Sequence, residues 1–217
     1  MRGPVELNDP SVVVVDCGVG NIQSVVNAFR RIGVSKVSVA CNGIELTRSD
    51  ASHLVLPGVG AVGGMLRQLE ELDLKKPLCD FVLAQRKPFL GICVGMQVLA
   101  VTCLEFGEHA GLGWIPGRVH LLDTGDDQLP LPHVGWNEVH AQPGAALFAD
   151  VADAEFYFAH SYAFDAAPEN VAAYSDYGKS FPCAVQKENV TAIQFHAEKS
   201  SAAGERLLRN FIAMQVV

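Results

Sequence analysis

Val12-Val13-Val14-Val15-Asp16-Cys17-Gly18-Val19-Gly20 is an unbroken β-branched run that stops at an acidic residue and a glycine-bearing turn. Four consecutive valines fit a strand covered on both faces, because a half-solvated strand would alternate apolar with polar side chains. Beyond the turn, Ile22, Val25, Val26, Phe29 and Ile32 recur on one helical face, and Gly33 supplies a stop. The unit of strand, turn and helix repeats. Lys36 to Ala40 and His53 to Leu56 read as strands, Met65 to Leu72 as an amphipathic helix, and Pro88 to Ile92 as an apolar strand feeding a helix over Gly95 to Cys103. Repeated βα units predict an α/β fold, a doubly wound and mostly parallel sheet covered by helices.

From Gly111 the texture changes to short β-like segments broken by Gly and Pro, through Arg118 to Leu122, Val134 to His140, Glu155 to Ala159 and Val171 to Tyr174. These predict a smaller antiparallel or mixed β extension in the C-terminal half. Asp123 to Pro132 is acidic and Pro/Gly-bearing and reads as an exposed loop. Val190 to Phe195 is a late strand, and Ser200 to Gln215 closes the chain as a helix with Leu207, Leu208, Phe211 and Ile212 inward. With no repeat or linker, the expected organisation is a polar tail over residues 1–10 and one domain over 11–217.

Composition narrows the function classes. The 217 residues carry 16 Lys+Arg against 24 Asp+Glu, and 49% are apolar. An acidic chain without a basic cluster argues against a nucleic-acid or anionic-membrane surface. A membrane span needs about 20 consecutive apolar residues, and none occur. The opening MRGPVELNDP lacks an apolar run with a small-residue cleavage site. The six cysteines Cys17, Cys41, Cys79, Cys93, Cys103 and Cys183 show no paired spacing, so reduced thiols in a cytoplasm are expected. No metal-ligand spacing links the histidines and cysteines, and no metal or other cofactor is expected.

Three constellations carry chemistry. Gly91-Ile92-Cys93-Val94-Gly95 lies where an apolar strand meets a helix, the cysteine form of a nucleophile elbow. Such a turn strains the backbone at the nucleophile and requires small neighbours on both sides. It also aims a thiol at a helix N-terminus, where partial positive charge favours thiolate and free N–H groups receive an oxyanion. A small buried cysteine between packing glycines is the competing reading. Gln194-Phe195-His196-Ala197-Glu198 follows the late strand. In extended chain, residues two apart share a side, so Glu198 can lie beside His196 and steady its imidazolium. Alone, this is a polar strand end. Joined to the elbow, it supplies the base and orienting acid of a Cys-His-Glu triad at one edge of the sheet. Leu56-Pro57-Gly58-Val59-Gly60 closes another strand, where glycines free the backbone to turn an N–H toward a ligand. Gly18-Val19-Gly20 is no dinucleotide fingerprint, because Gln23 stands at the third glycine position and no acid ends strand two.

With these stretches quoted, G-I-C-V-G-M-Q at Gly91 to Gln97, P-G-V-G at Pro57 to Gly60, H-S-Y at His160 to Tyr162 and Q-F-H-A-E-K-S at Gln194 to Ser200, the chain resembles the class I triad glutamine amidotransferases. P-H-V-G-W-N at Pro132 to Asn137 and D-C-G-V-G-N at Asp16 to Asn21 are similar to the glutaminase subunits of imidazole glycerol phosphate synthases. The resemblance runs from about Val12 to Gln215. It implies that Cys93 attacks the amide of L-glutamine, that His196 is base and then acid, and that Glu198 orients His196. It also implies an oxyanion hole from Val94 N–H and the Gly58–Val59 peptide, with Gly60, Gln97, Glu105, His160, Ser161 and Tyr162 around the glutamine.

The family passes its ammonia to a (β/α)8-barrel cyclase subunit, which implies a heterodimer. Chemistry supports a partner as well: ammonia released to water becomes ammonium, which has no lone pair to donate. Trp136 is a candidate interface anchor, since Trp is favoured at hot spots, and Asn137 and Asn21 join it by resemblance. The family usually has Pro where this chain has Ala197 and commonly Tyr where it has Cys17. Losing that proline predicts a looser loop at an intact triad, costing about 0.4–1 kcal/mol. Other readings are a triad glutaminase of an anthranilate or aminodeoxychorismate synthase, a cysteine hydrolase on a similar sheet, and a non-catalytic partner-binding homologue.

Overall fold

The computed structural model describes residues 10–127, 129–151 and 154–214. The expected tail lies outside these residues except for Pro10, as does Gln215 at the end of the expected closing helix. The first half reads β1 (Ser11–Val15), α1 (Ile22–Arg31), β2 (Lys36–Ala40), α2 (Gly43–Thr47), β3 (His53–Gly58), α3 (Val62–Glu71), α4 (Lys75–Cys79), a π-helical turn (Asp80–Ala84), β4 (Phe89–Cys93) and α5 (Val94–Gln97). The second half contains β5 (Thr102–Cys103), β6 (His109–Ala110), β7 (Gly117–Leu121), β8 (His133–Ala141), β9 (Ala154–His160), β10 (Tyr162–Ala166), β11 (Val171–Tyr177), β12 (Lys179–Lys187), β13 (Val190–Ile193) and α6 (Ser201–Ile212).

Nine strands form one sheet in the order β2-β1-β3-β4-β13-β12-β11-β8-β9. From β2 to β13 all neighbours are parallel, and β1, β3, β4 and β13 run as almost unbroken apolar segments because helices cover both faces. From β13 to β9 all neighbours are antiparallel. The C-terminal β extension thus continues the parallel sheet across β13, and β10, β7, β5 and β6 make a second, four-stranded sheet. Strand order reverses at β1, which has β2 on one side and β3 on the other. Chain ends leaving β1 and β3 diverge there and open a crevice at the carboxyl edge of the sheet.

The helix expected over Gly95 to Cys103 is the main correction. After Gln97 the chain leaves the helix, because the carbonyls of Val98, Leu99 and Ala100 accept from Leu112, Ile115 and Gly113. Those bonds, with Thr102 paired to both Ala110 and Arg118, draw the segment into the small sheet. The strands β6, β10 and β12 have no counterpart among the expected segments. Among the described residues no helix is long and apolar enough to cross a membrane.

Glycines fix how α5 sits on the sheet. A Cβ on Gly95 would collide with the Leu56 carbonyl of β3, and one on Gly91 would lie 2.5 Å from the Gly95 oxygen. Backbone packs directly on backbone at this point, so neither neighbour can yield by changing a rotamer. Gly95→Ala is expected to destabilise the protein by about 3 kcal/mol or more, measured by denaturant unfolding; a loss below about 0.5 kcal/mol, the ordinary surface value, would contradict this packing.

Candidate active site

Cys93 ends β4 and immediately precedes α5, with φ 55° and ψ −112°. A non-glycine residue in this region costs about 1–3 kcal/mol and is held there by the glycine packing around it. The Cys93 side chain is buried, and its neighbours follow from strand register. Gly58 of β3 pairs beside it, and on the other side Ile193 of β13 pairs with Ile92. The residue that follows this strand, Gln194, therefore comes level with Cys93, and Gln194 Nε2 lies 3.7 Å from Cys93 Sγ. The Ala159 carbonyl oxygen is 4.0 Å from the same sulfur.

His196 is reached two residues beyond Gln194. Its N–H donates to the Tyr157 carbonyl at 2.8 Å, which ties the strand end to β9. Ala197–Lys199 then forms a 3₁₀ turn that folds Glu198 back, so that Glu198 Oε1 meets His196 Nδ1 at 2.8 Å. The pair meets as the H-x-E spacing predicts, but through a turn and not through strand alternation. Ser200 holds this turn: its hydroxyl donates to the His196 carbonyl at 2.6 Å and accepts from Tyr157 N–H at 3.0 Å. Ala197, where the family usually has Pro, is buried against Gly204.

Burial pushes the His196 imidazole toward neutrality, but hydrogen bonds with Cys93 and Glu198, together with their charges, outweigh it and raise its pKa to about 9. His196 is therefore an imidazolium at neutral pH, placed between the sulfur and a carboxylate. The second carboxylate oxygen, Glu198 Oε2, is buried without a hydrogen-bond partner.

A pocket of about 60 Å³ opens over Cys93, lined by Val59, Gly60, Val94, Gln97, Glu105, Ala159, His160, Ser161 and Tyr162. Every residue expected around a glutamine is present in that lining. Val94 N–H, at the first position of α5 and next in sequence to the sulfur-bearing residue, has no partner within the helix. Glu105 Oε2 accepts from Val62 N–H at 2.6 Å and caps α3, which leaves its other oxygen for a cation. Gln97 Nε2 donates to the Tyr162 carbonyl and to Gln194 Oε1, both at 3.0 Å, so its Oε1 is the polar atom left for a ligand. A larger hollow of about 500 Å³, between α2 and α4, shares no residue with this pocket and contains no nucleophile paired with a base.

His160 lines the pocket but spends both ring nitrogens inside the protein. The Tyr162 carbonyl, 2.9 Å from Nδ1, can only accept, so Nδ1 carries the proton and Nε2 accepts from His133 Nδ1 at 3.1 Å. His133 Nε2 then faces the Asn137 amide nitrogen at 3.3 Å. His133 is stacked between Tyr177 and Phe158. Burial lowers the pKa of His133 to about 4 and that of His160 to about 3, the proximity of His133 and His196 adding to the latter. No local motif marks His133 for this place, since only the fold brings β8 beside β9.

The three candidate interface residues behave differently. Trp136 is 49% exposed and packs edge-on against Tyr157, over which Lys199 Nζ lies at 5.5 Å. Asn21 caps α1 by accepting from Ser24 N–H and borders the crevice that also holds His196, Glu198 and Lys199. Asn137 points the other way along β8: its amide donates to the Asp176 carbonyl at 2.7 Å. Among the described residues no group of three His, Cys, Asp or Glu could hold a metal ion.

The family model described as glutamine amidotransferase class-I matches residues 13–214, and the chain belongs to that family. Among curated proteins it is 42% identical to "Imidazole glycerol phosphate synthase subunit HisH" of Nitrosospira multiformis, over 95% of this chain and 99% of that protein. It is 41% identical to the protein of the same name from Geobacter metallireducens, over 93% and 97%. Within the class, these similarities group the chain with the HisH subunits. The solved structure of a glutamine amidotransferase from Thermotoga maritima shares the fold, with a TM-score of 0.63 at 18% identity over 94% of this chain and 83% of that one.

The histidines set the pH dependence of stability. Unfolding returns His133 and His160 toward 6.5, where they take up protons that the folded state refuses, so stability falls as pH drops below that value. The slope is about 1.4 kcal/mol per pH unit for each histidine. His196 acts oppositely: its contribution is complete below about 6.5 and is lost as pH rises toward about 9. Denaturant unfolding at pH 5, 6, 7 and 9 is expected to show losses on both sides of neutrality; a flat profile from pH 7 to 5 would contradict the neutral buried pair.

Proposed function

We propose that this chain is the glutaminase subunit of an imidazole glycerol phosphate synthase. One domain, residues 11–217, hydrolyses L-glutamine to glutamate and ammonia and delivers the ammonia to a (β/α)8-barrel cyclase partner in histidine biosynthesis, as a 1:1 heterodimer in the cytoplasm. The observation that carries this reading is the placement of His196 between Cys93 and Glu198, 2.8 Å from the Glu198 carboxylate, beside a pocket lined by both Cys93 and the carboxylate of Glu105.

Glutamine enters with its α-ammonium toward Glu105 and its γ-amide over Cys93. The thiolate attacks the amide carbon, and the carbonyl electrons move onto an oxygen received by Val94 N–H and the Gly58–Val59 peptide. The tetrahedral adduct collapses as His196 gives its proton to the leaving nitrogen, releasing ammonia and a γ-glutamyl thioester. His196, now neutral, takes a proton from water, whose oxygen attacks the thioester; glutamate leaves and the thiolate–imidazolium pair returns. Glu198 holds Nδ1 throughout, keeping the other nitrogen toward the sulfur. Asn21, at the crevice edge, and the exposed Trp136 are the proposed docking residues for the cyclase.

Glutamate release from L-glutamine tests this reading, measured for the chain alone and with a matched cyclase and its nucleotide ligand. Strong stimulation by the cyclase is expected; activity unmoved by it would assign the ammonia to another acceptor. Cys93→Ala is expected to lose on the order of 10⁶ in turnover, His196→Ala to be nearly as damaged, and Glu198→Gln less so. Turnover retained in Cys93→Ala would remove the nucleophile from the account.

A further inference from the structure

Gln194 has no part in the mechanism above, although it is fully buried, comes level with the nucleophile and bonds to it. We propose that Gln194 is a further catalytic residue, whose side-chain amide donates a hydrogen bond to the Cys93 sulfur and stabilises the thiolate. The proposal rests on Cys93 being the nucleophile.

An amide can face a neighbour with either its oxygen or its nitrogen, and here the choice is forced. The Tyr162 carbonyl can only accept, so Gln97 must turn its nitrogen toward it, and the same nitrogen is 3.0 Å from Gln194. Gln97 Nε2 has only hydrogens to offer, so Gln194 must answer with Oε1. That orientation leaves Gln194 Nε2, with its two hydrogens, on the side of Cys93 Sγ at 3.7 Å. A backbone carbonyl on β10 thereby fixes the direction of a donor two side chains away. The donor's height comes from sheet register, since Ile193 pairs with Ile92 and the next residues on each strand stand side by side.

The chemical effect follows from what sulfur accepts. A thiol is a weak acceptor and a thiolate a strong one, so a fixed N–H donor favours the charged form. The ionisable groups around Cys93 are His196 and, behind it, Glu198 on the turn after β13, with Glu105, Tyr162 and the neutral His160 across the pocket. Of these only His196 favours the thiolate directly. Gln194 approaches from β13, level with the sulfur, and is uncharged, so its bond persists through both proton transfers of His196.

The test compares Gln194→Glu and Gln194→Met with the wild-type chain by the pH dependence of iodoacetamide alkylation at Cys93. Adducts are read by peptide mass spectrometry, with exposed Cys41 as internal reference. The Glu variant keeps the shape and the acceptor for Gln97 and, once ionised, has no donor, whereas the Met variant has none at any pH. In the Met variant the pH of half-maximal alkylation at Cys93 is expected to rise by about one unit, and further in the Glu variant, while Cys41 keeps its profile. Midpoints equal to wild type in the folded variants would overturn the proposal, whatever happens to their stability. In the wild-type chain, the Gln194 side-chain amide protons are expected to shift in NMR spectra as Cys93 titrates, and not in Cys93→Ala; amide protons that ignore Cys93 would overturn it too. Neither readout needs glutamine turnover. A chain inactive with glutamine but with shifted midpoints would therefore refute the proposed function alone, and an active chain with unshifted midpoints would refute the role of Gln194 alone.

Discussion

Everything at the site depends on one backbone contact, the seating of Gly95 against the Leu56 carbonyl. Because no Cβ intervenes, α5 can start directly on top of β3 and β4, and the chain must turn sharply at Cys93 to enter it. The turn forces Cys93 into a positive-φ conformation and presents its sulfur above the carboxyl edge of the sheet. Parallel neighbours then bring the remaining groups without further design: Gly58 from β3 on one side, Gln194 and His196 from the segment that leaves β13 on the other. The strain at Cys93 is sustained by a surrounding core of buried valines, leucines and phenylalanines far larger in its stabilisation than the cost of one unfavourable residue.

The same side-chain type serves two opposite electrostatic purposes a few ångströms apart. His160 and His133 are buried without an anion and stay neutral, which lets them act as one-way donors and acceptors that brace the pocket wall. His196 is buried equally well but between a sulfur and a carboxylate, and it stays charged. Burial alone thus decides nothing; the partner in contact does. The neutral pair also links Asn137 on β8 to the pocket, while its neighbour Trp136 faces outward on the same strand.

The parts of this arrangement legible in the sequence are those written locally. Val12 to Val15 announces a strand covered on both faces, the glycines flanking Cys93 announce an elbow, and the spacing of His196 and Glu198 announces a base with its orienting acid. What was illegible depends on long-range pairing. The expected helix beyond Gly95 ends after one turn because distant amides of Leu112, Gly113 and Ile115 take its carbonyls. The strand at Lys179–Lys187 carries Pro182 and charged ends, so its pairing is visible only beside β11 and β13. Gln194 stands inside a quoted motif, yet its role needs the register of β13 on β4, and the sequence groups Asn137 with Trp136 as a candidate interface residue because a strand face cannot be assigned before its sheet is known.

The central claim is that Cys93 is a nucleophile presented to the γ-amide of glutamine by this geometry. Its most direct test is labelling of the intact chain with a glutamine-shaped diazo ketone, followed by peptide mass mapping. A single adduct at Cys93 is expected, suppressed by L-glutamine and nearly absent in His196→Ala. Adducts spread over the other cysteines, or labelling indifferent to L-glutamine, would contradict it.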